Sequence, residues 1–197
     1  MKIIKLVSFS IIVATAIFGN GCGTQNQGMN HEQMNSIPHA SNPTDSPYDL
    51  QFLDTMIMHH QAAIAMARAV EGREFQPEMK DLVKNIIADQ LKETDQMTTW
   101  REEWFKGAPR AANMSMAGMT DSMLGMDMQK LGTFAGNDLD LEFIKQMIPH
   151  HQGAVVMANE ALKESQKGEI KDLANGIIKA QNAEIKQMQD WQTAWKK

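Results

Sequence analysis

The sequence predicts an all-α protein, a four-helix bundle built from two copies of one helical hairpin, and three observations lead there. Residues 49–104 align with residues 140–195 at a constant offset of 91 without a gap, with about 23 identities in 56 positions, far beyond chance for unrelated segments. In the second part of each copy, Leu82, Ile86, Gln90, Glu93, Met97, Trp100 and Trp104 step by three or four residues, as do Leu173, Ile177, Gln181, Glu184, Met188, Trp191 and Trp195, which keeps each set on one helix face. Breakers divide each copy into two helices: Gly72 to Pro77 in the first, Lys167 to Glu169 around Gly168 in the second. A hairpin with a single apolar stripe cannot cover it alone, so the economical solution packs the two hairpins together.

Composition sets the outer limits. The chain has 197 residues, 43% apolar and 22% charged, enough for one domain with a packed core. Nineteen Lys and Arg against 24 Asp and Glu give a net charge of −5 with no long basic run, which makes nucleic acid a poor partner. The unusual figure is 17 Met, beside 6 His and 1 Cys. That inventory excludes cysteine-built zinc or iron–sulfur sites and any intrachain disulfide.

In chain order, residues 1–21 read as an export signal: Lys2 and Lys5 precede an apolar run from Leu6 to Phe18, too short to span a bilayer as an ordinary helix. Cys22 follows directly and is placed as a lipidated cysteine would be, which would anchor the protein to a membrane. Gly19 stands where a lipoprotein box usually has Leu, so secretion without an anchor is the other reading; either location is outside the cytoplasm. Residues 22–48, rich in Asn, Gln, Ser, Pro and Gly, have the composition of a mobile tether, and its Met29, His31, Met34 and His39 are metal-capturing or incidental. The first hairpin is expected over 49–106 and the second over 140–197, each second helix about 28 residues or 40 Å long. Between them, residues 107–139 form a connector carrying Met114, Met116, Met119, Met123, Met126 and Met128. Two readings fit it: a flexible chain wrapping a soft ion, or a short amphipathic helix over about 121–131 that uses Met as filler.

The chemistry lies on the first helix of each copy. With Met56 at zero on a helical wheel, His59 falls near −60°, His60 near +40° and Met66 near −80°, one shared face. Met147, His150, His151 and Met157 repeat the pattern, so a pseudo-twofold packing would direct four imidazoles and four thioethers inward. A buried imidazole needs a partner for each ring nitrogen, and Gln90, Glu93, Gln181 and Glu184 stand within the facing apolar stripes, where they could orient the rings. Met97 and Met188 are possible additional sulfur ligands on those helices. Taken singly, each His or Met is more often ordinary core than ligand; the recurrence of the whole constellation argues for binding. The Trp100/Trp104 and Trp191/Trp195 pairs read as structural anchors.

Di-iron bundles use Glu-x-x-His, but three residues before the histidines stand Met56, Ile57, Met147 and Ile148. Thioether with imidazole suits Cu(I) or Ag(I) better than iron or manganese. Pro149 replaces the Met58 of the first copy and should kink the second helix just before its His pair, so the two halves should differ.

The segments F-L-D-T-M-I-M-H-H-Q-A-A-I-A-M-A and F-I-K-Q-M-I-P-H-H-Q-G-A-V-V-M-A, each followed by a Q-x-x-E-x-x-x-M-x-x-W helix, resemble the bacterial family called domain of unknown function 305, from about Asp49 to the C-terminus. Within that family the chain looks like the periplasmic copper-binding members. It implies a ferritin-like bundle that binds copper or silver in metal tolerance, with Met56, His59, His60, Met66, Met147, His150, His151 and Met157 at the family's motif positions. The expected function is therefore a non-enzymatic Cu(I)/Ag(I)-binding protein of the cell envelope that sequesters metal or hands it to a copper exporter or another envelope copper protein. The alternatives are a ferritin-like metal-dependent oxidoreductase and a metal-free helical interaction module.

Overall fold

The computed structural model describes residues 38–73 and 76–196. Among them the fold is all-α, with a 3-10 turn at Pro43–Asp45 and six α-helices: α1 (Tyr48–Val70), α2 (Pro77–Trp104), α3 (Met119–Leu124), α4 (Met128–Gly132), α5 (Gly136–Glu164) and α6 (Gly168–Trp195). Helix α1 pairs with α2, α5 with α6, and the hairpins join where α1 packs on α5. The second helices are each 28 residues, as the spacing predicts. At the first turn Gly72 takes φ +77°, a left-handed backbone that suits glycine, and Pro77 opens α2 where its missing N–H is not needed.

The duplication is visible in the core as two buried clusters. Phe52, Leu53, Met56, Met97, Ala154, Met157, Ala158, Ile170, Leu173 and Ile177 belong to one; their partners at the 91-residue offset, Phe143, Ile144, Met147, Met188, Ala63, Met66, Ala67, Met79, Leu82 and Ile86, belong to the other. Each lobe thus takes half of α1 and half of α5, which requires the two helices to run antiparallel about a pseudo-twofold axis. Each large apolar side chain buried in these lobes contributes about 1.5–3 kcal/mol, and each lobe draws its side chains from both copies. The tryptophan pairs stack at 5.2 Å and 5.1 Å between ring centres, one on each cluster.

The connector is structured, which corrects the picture of a chain free to wrap an ion. The single helix expected over about 121–131 is two, α3 and α4, interrupted after Gly125 because the Asp127 side chain accepts a hydrogen bond from the Lys130 N–H and starts a new helix. Both pack on the α1/α5 layer. The connector's start is fixed by a buried ion pair: Asp54 accepts from Arg101 Nε at 3.0 Å and from the Ala111 N–H at 2.8 Å. Helix α5 begins at Gly136, inside the expected connector, and continues through Pro149. The end of the expected tether is docked rather than mobile: residues 38–40 pair with Arg110, and Gln51 Nε2 holds the Ser46 carbonyl at 2.7 Å. No helix among the described residues is long and apolar enough to cross a membrane. The export run, Cys22, Met29, His31 and Met34 lie outside the described residues.

Candidate metal centre

Both His pairs sit at the midpoints of their helices, between the two apolar clusters. On α1 the first cluster takes residues 52–57 and the second 63–70, leaving His59 and His60 between; on α5 the order reverses around His150 and His151. All four imidazoles are fully buried. The rings of His59 and His150 face each other across the pseudo-twofold axis with centres 3.7 Å apart, and each lies 6.3 Å from its neighbour in sequence.

Their hydrogen bonding follows the duplication at the outer pair. His60 Nε2 donates to Glu93 Oε2 at 2.7 Å, and His151 Nε2 donates to Glu184 Oε2 at 2.7 Å. A carboxylate only accepts, so Nε2 carries a hydrogen and Nδ1 is the ring nitrogen left to face a metal. Among the described residues neither Nδ1 has a hydrogen-bond partner, nor do Nδ1 of His59 and both nitrogens of His150. Five buried ring nitrogens are therefore open, at a desolvation cost that ordinary cores avoid. The inner pair is held neutral: burial first, then the neighbouring imidazoles, push His59 and His150 well below the usual histidine value, while each ring's approach to the other's backbone carbonyl opposes the shift without reaching hydrogen-bond geometry. An imidazole that does not protonate keeps its lone pair for a metal.

The thioethers do not all converge with the imidazoles, contrary to the simplest picture of one interior site. Met56, Met97 and Met157 lie in one cluster and Met66, Met147 and Met188 in the other, flanking the imidazole layer on both sides. Met116 and Met119 are buried in the first lobe, Met123 packs against it and Met126 against the second, whereas Met114 and Met128 are exposed. Among the described residues no group of three or more His, Cys, Asp or Glu side chains is placed to hold a metal ion. Gln90 and Gln181 are buried but bond no ring, and their side-chain amides have no hydrogen-bond partner among the described residues; the contacts to the rings are made by Glu93 and Glu184.

Two features border this layer. Glu93 lines a groove of about 420 Å³ between α2 and α6, with Asp89, Lys92, Glu169 and Asp172. On the other side α3 covers His59, whose Nε2 lies 3.0 Å from Ser122 Oγ. Sequence reasoning missed Ser122, which lies outside the repeat; the one available signal was Gly153, a residue without a side chain where the first copy has Ala62.

Comparison with known proteins agrees with this geometry. The family model described as domain of unknown function (DUF305) matches residues 49–192. A solved structure of CopM in the Cu(I)-bound form is 41% identical, covering 76% of this chain and 98% of that one with a TM-score of 0.64. CopM in an Ag-bound form is also 41% identical, with coverage of 76% and 98% and a TM-score of 0.63. A DUF305 protein from Streptomyces coelicolor is 29% identical, covering 76% of this chain and 94% of that one with a TM-score of 0.65. Curated protein sequences give no match. With the family model spanning most of the chain and the paired His-His motif at its centre, the protein belongs to the domain of unknown function 305 family.

Proposed function

We propose that this protein binds Cu(I) or Ag(I) in the cell envelope and sequesters it or passes it to a copper exporter, without catalysing a reaction. The observation that carries the reading is the pair of Glu–His contacts at 2.7 Å. A carboxylate on the outer nitrogen orients an imidazole and raises its basicity while its other nitrogen is free, which is the support that histidine ligands of metals ordinarily have. The sulfur on either side makes the donor set soft, suited to a monovalent coinage metal. CopM, of which 98% is covered at 41% identity, has been solved in Cu(I)- and Ag-bound forms, which supports the same cargo here. Met56, His59, His60, Met66, Met147, His150, His151 and Met157 are the proposed ligand set, with Met97 and Met188 as further sulfur within the same lobes. The exposed Met114 and Met128 are suited to first capture. The envelope location rests on the export-like residues 1–21, with Cys22 as the proposed lipid anchor. Anaerobic Cu(I) titration against a competing chelator tests the reading. The native chain should outcompete a variant with all four paired histidines changed to Ala by orders of magnitude, and equal affinities would end it.

A further inference from the structure

The pseudo-twofold symmetry of the imidazole layer is broken at one place. Ser122 is fully buried, and its Oγ donates to the Met119 carbonyl at 2.8 Å, so toward His59 it accepts. His59 Nε2 must then carry the hydrogen, and Nδ1 is the nitrogen left open. The symmetry-related ring, His150, has no hydrogen bond at either nitrogen among the described residues.

What brings Ser122 to His59 is a close approach of backbones. Gly118, at φ +86°, opens α3, and a Cβ there would collide with the Gly153 carbonyl; a Cβ on Gly153 would in turn collide with the Gly118 carbonyl and with Ser122 Cβ. Helix α3 therefore seats on α5 only because both positions lack side chains. The first copy carries Ala62 where the second has Gly153, so this seat exists in one copy alone.

We infer that Ser122, seated by the Gly118–Gly153 contact, is a positioning residue that engages Nε2 of His59 and commits this ring to ligation through Nδ1, so that the two halves of the duplicated site take a soft monovalent cation inequivalently. The inference rests on the metal-binding reading above and adds which atom ligates and why the halves differ. Loading His59 through Nε2 would break the Ser122 contact and displace its hydrogen. Loading His150 through either nitrogen breaks no protein hydrogen bond.

The test is NMR of the full chain labelled with ¹⁵N-histidine, without metal and then during titration with Ag(I). Before silver, His59 should show the Nε2–H tautomer alone; on titration its Nδ1 signal should shift while Nε2 keeps its hydrogen. Ser122→Ala removes the acceptor, and Gly153→Ala displaces α3 with Ser122 intact. Both should free His59 to sample both tautomers and to respond to silver as His150 does. An Nδ1–H tautomer at His59 in the native chain overturns the inference even if neither variant folds. So does silver at Nε2 of His59, or a His59 spectrum unchanged in Ser122→Ala. Responses at His60, His150 and His151 with His59 reacting at Nε2 defeat this inference alone, whereas silence at all four rings defeats the metal-binding reading as well.

Discussion

Replacing His150 by Leu separates a histidine kept for binding from one kept for folding. The ring is fully buried with two open nitrogens, one of them carrying a hydrogen in the neutral form. An unsatisfied buried polar group costs about 1–3 kcal/mol, and Leu fills nearly the same volume without one. Allowing for lost contact with the His59 ring, the metal-free variant should gain about 1–2 kcal/mol, or roughly 2–8 °C in Tm for a chain of this size. The same variant should lose its response to Ag(I). A native chain at about 100 times its Kd gains about 2.7 kcal/mol from the ligand, and a hundredfold weaker variant at the same concentration gains only about 0.4 kcal/mol. Urea unfolding of the metal-free protein at pH 8 and thermal melts with and without Ag(I) measure both terms. A variant that is less stable by about 2 kcal/mol or more, yet keeps the full silver-induced rise, would show that His150 is ordinary core and refute the reasoning.

Four further expectations follow from the same geometry. Glu93→Gln and Glu184→Gln should each lower Cu(I) affinity by about 10- to 100-fold, and by similar factors because the two contacts are equivalent, as chelator competition would show. Stability of the metal-free protein should be sustained above the ordinary histidine value near 6.5 and fall as pH drops below it; the unfolded state binds protons that the buried His59 and His150 refuse, at about 1.4 kcal/mol per pH unit for each, which urea unfolding from pH 8 to pH 5 would read. Asp140 behaves oppositely, because burial raises its carboxyl to about 6 from 3.8: stability is lost as pH rises through that window, so Asp140→Asn should be more stable than the native chain above pH 6, with the difference closing toward pH 4. Asp54→Ala leaves the Arg101 guanidinium buried without its carboxylate and frees the connector's start, which should cost about 3–5 kcal/mol in denaturant unfolding.

The candidate site was legible in part. The wheel positions of His59, His60, His150 and His151 placed them on an inward face, and the spacing of Glu93 and Glu184 along the facing stripes put a carboxylate within reach of an imidazole. Gln90 and Gln181 share that stripe equally well, and nothing in periodicity could tell which of the two polar residues would meet a ring. The connector was read least well, because its helices owe little to apolar period: Asp127 caps one, and the other depends on contact with Gly153.

By itself the sequence determined the hairpin, its duplication, the helix lengths and the softness of the donor set, since each follows from local periodicity, breakers and residue chemistry. Tertiary structure alone decided how the copies meet. Running α1 against α5 head to tail sends Met56 and Met66 of one helix to opposite lobes, joins each to sulfur of the other copy, and brings the His59 and His150 rings together at the axis. A repeat states what its two copies have in common; which halves become neighbours is fixed by the packing of one helix on another, and that pairing is encoded in no single stretch of chain.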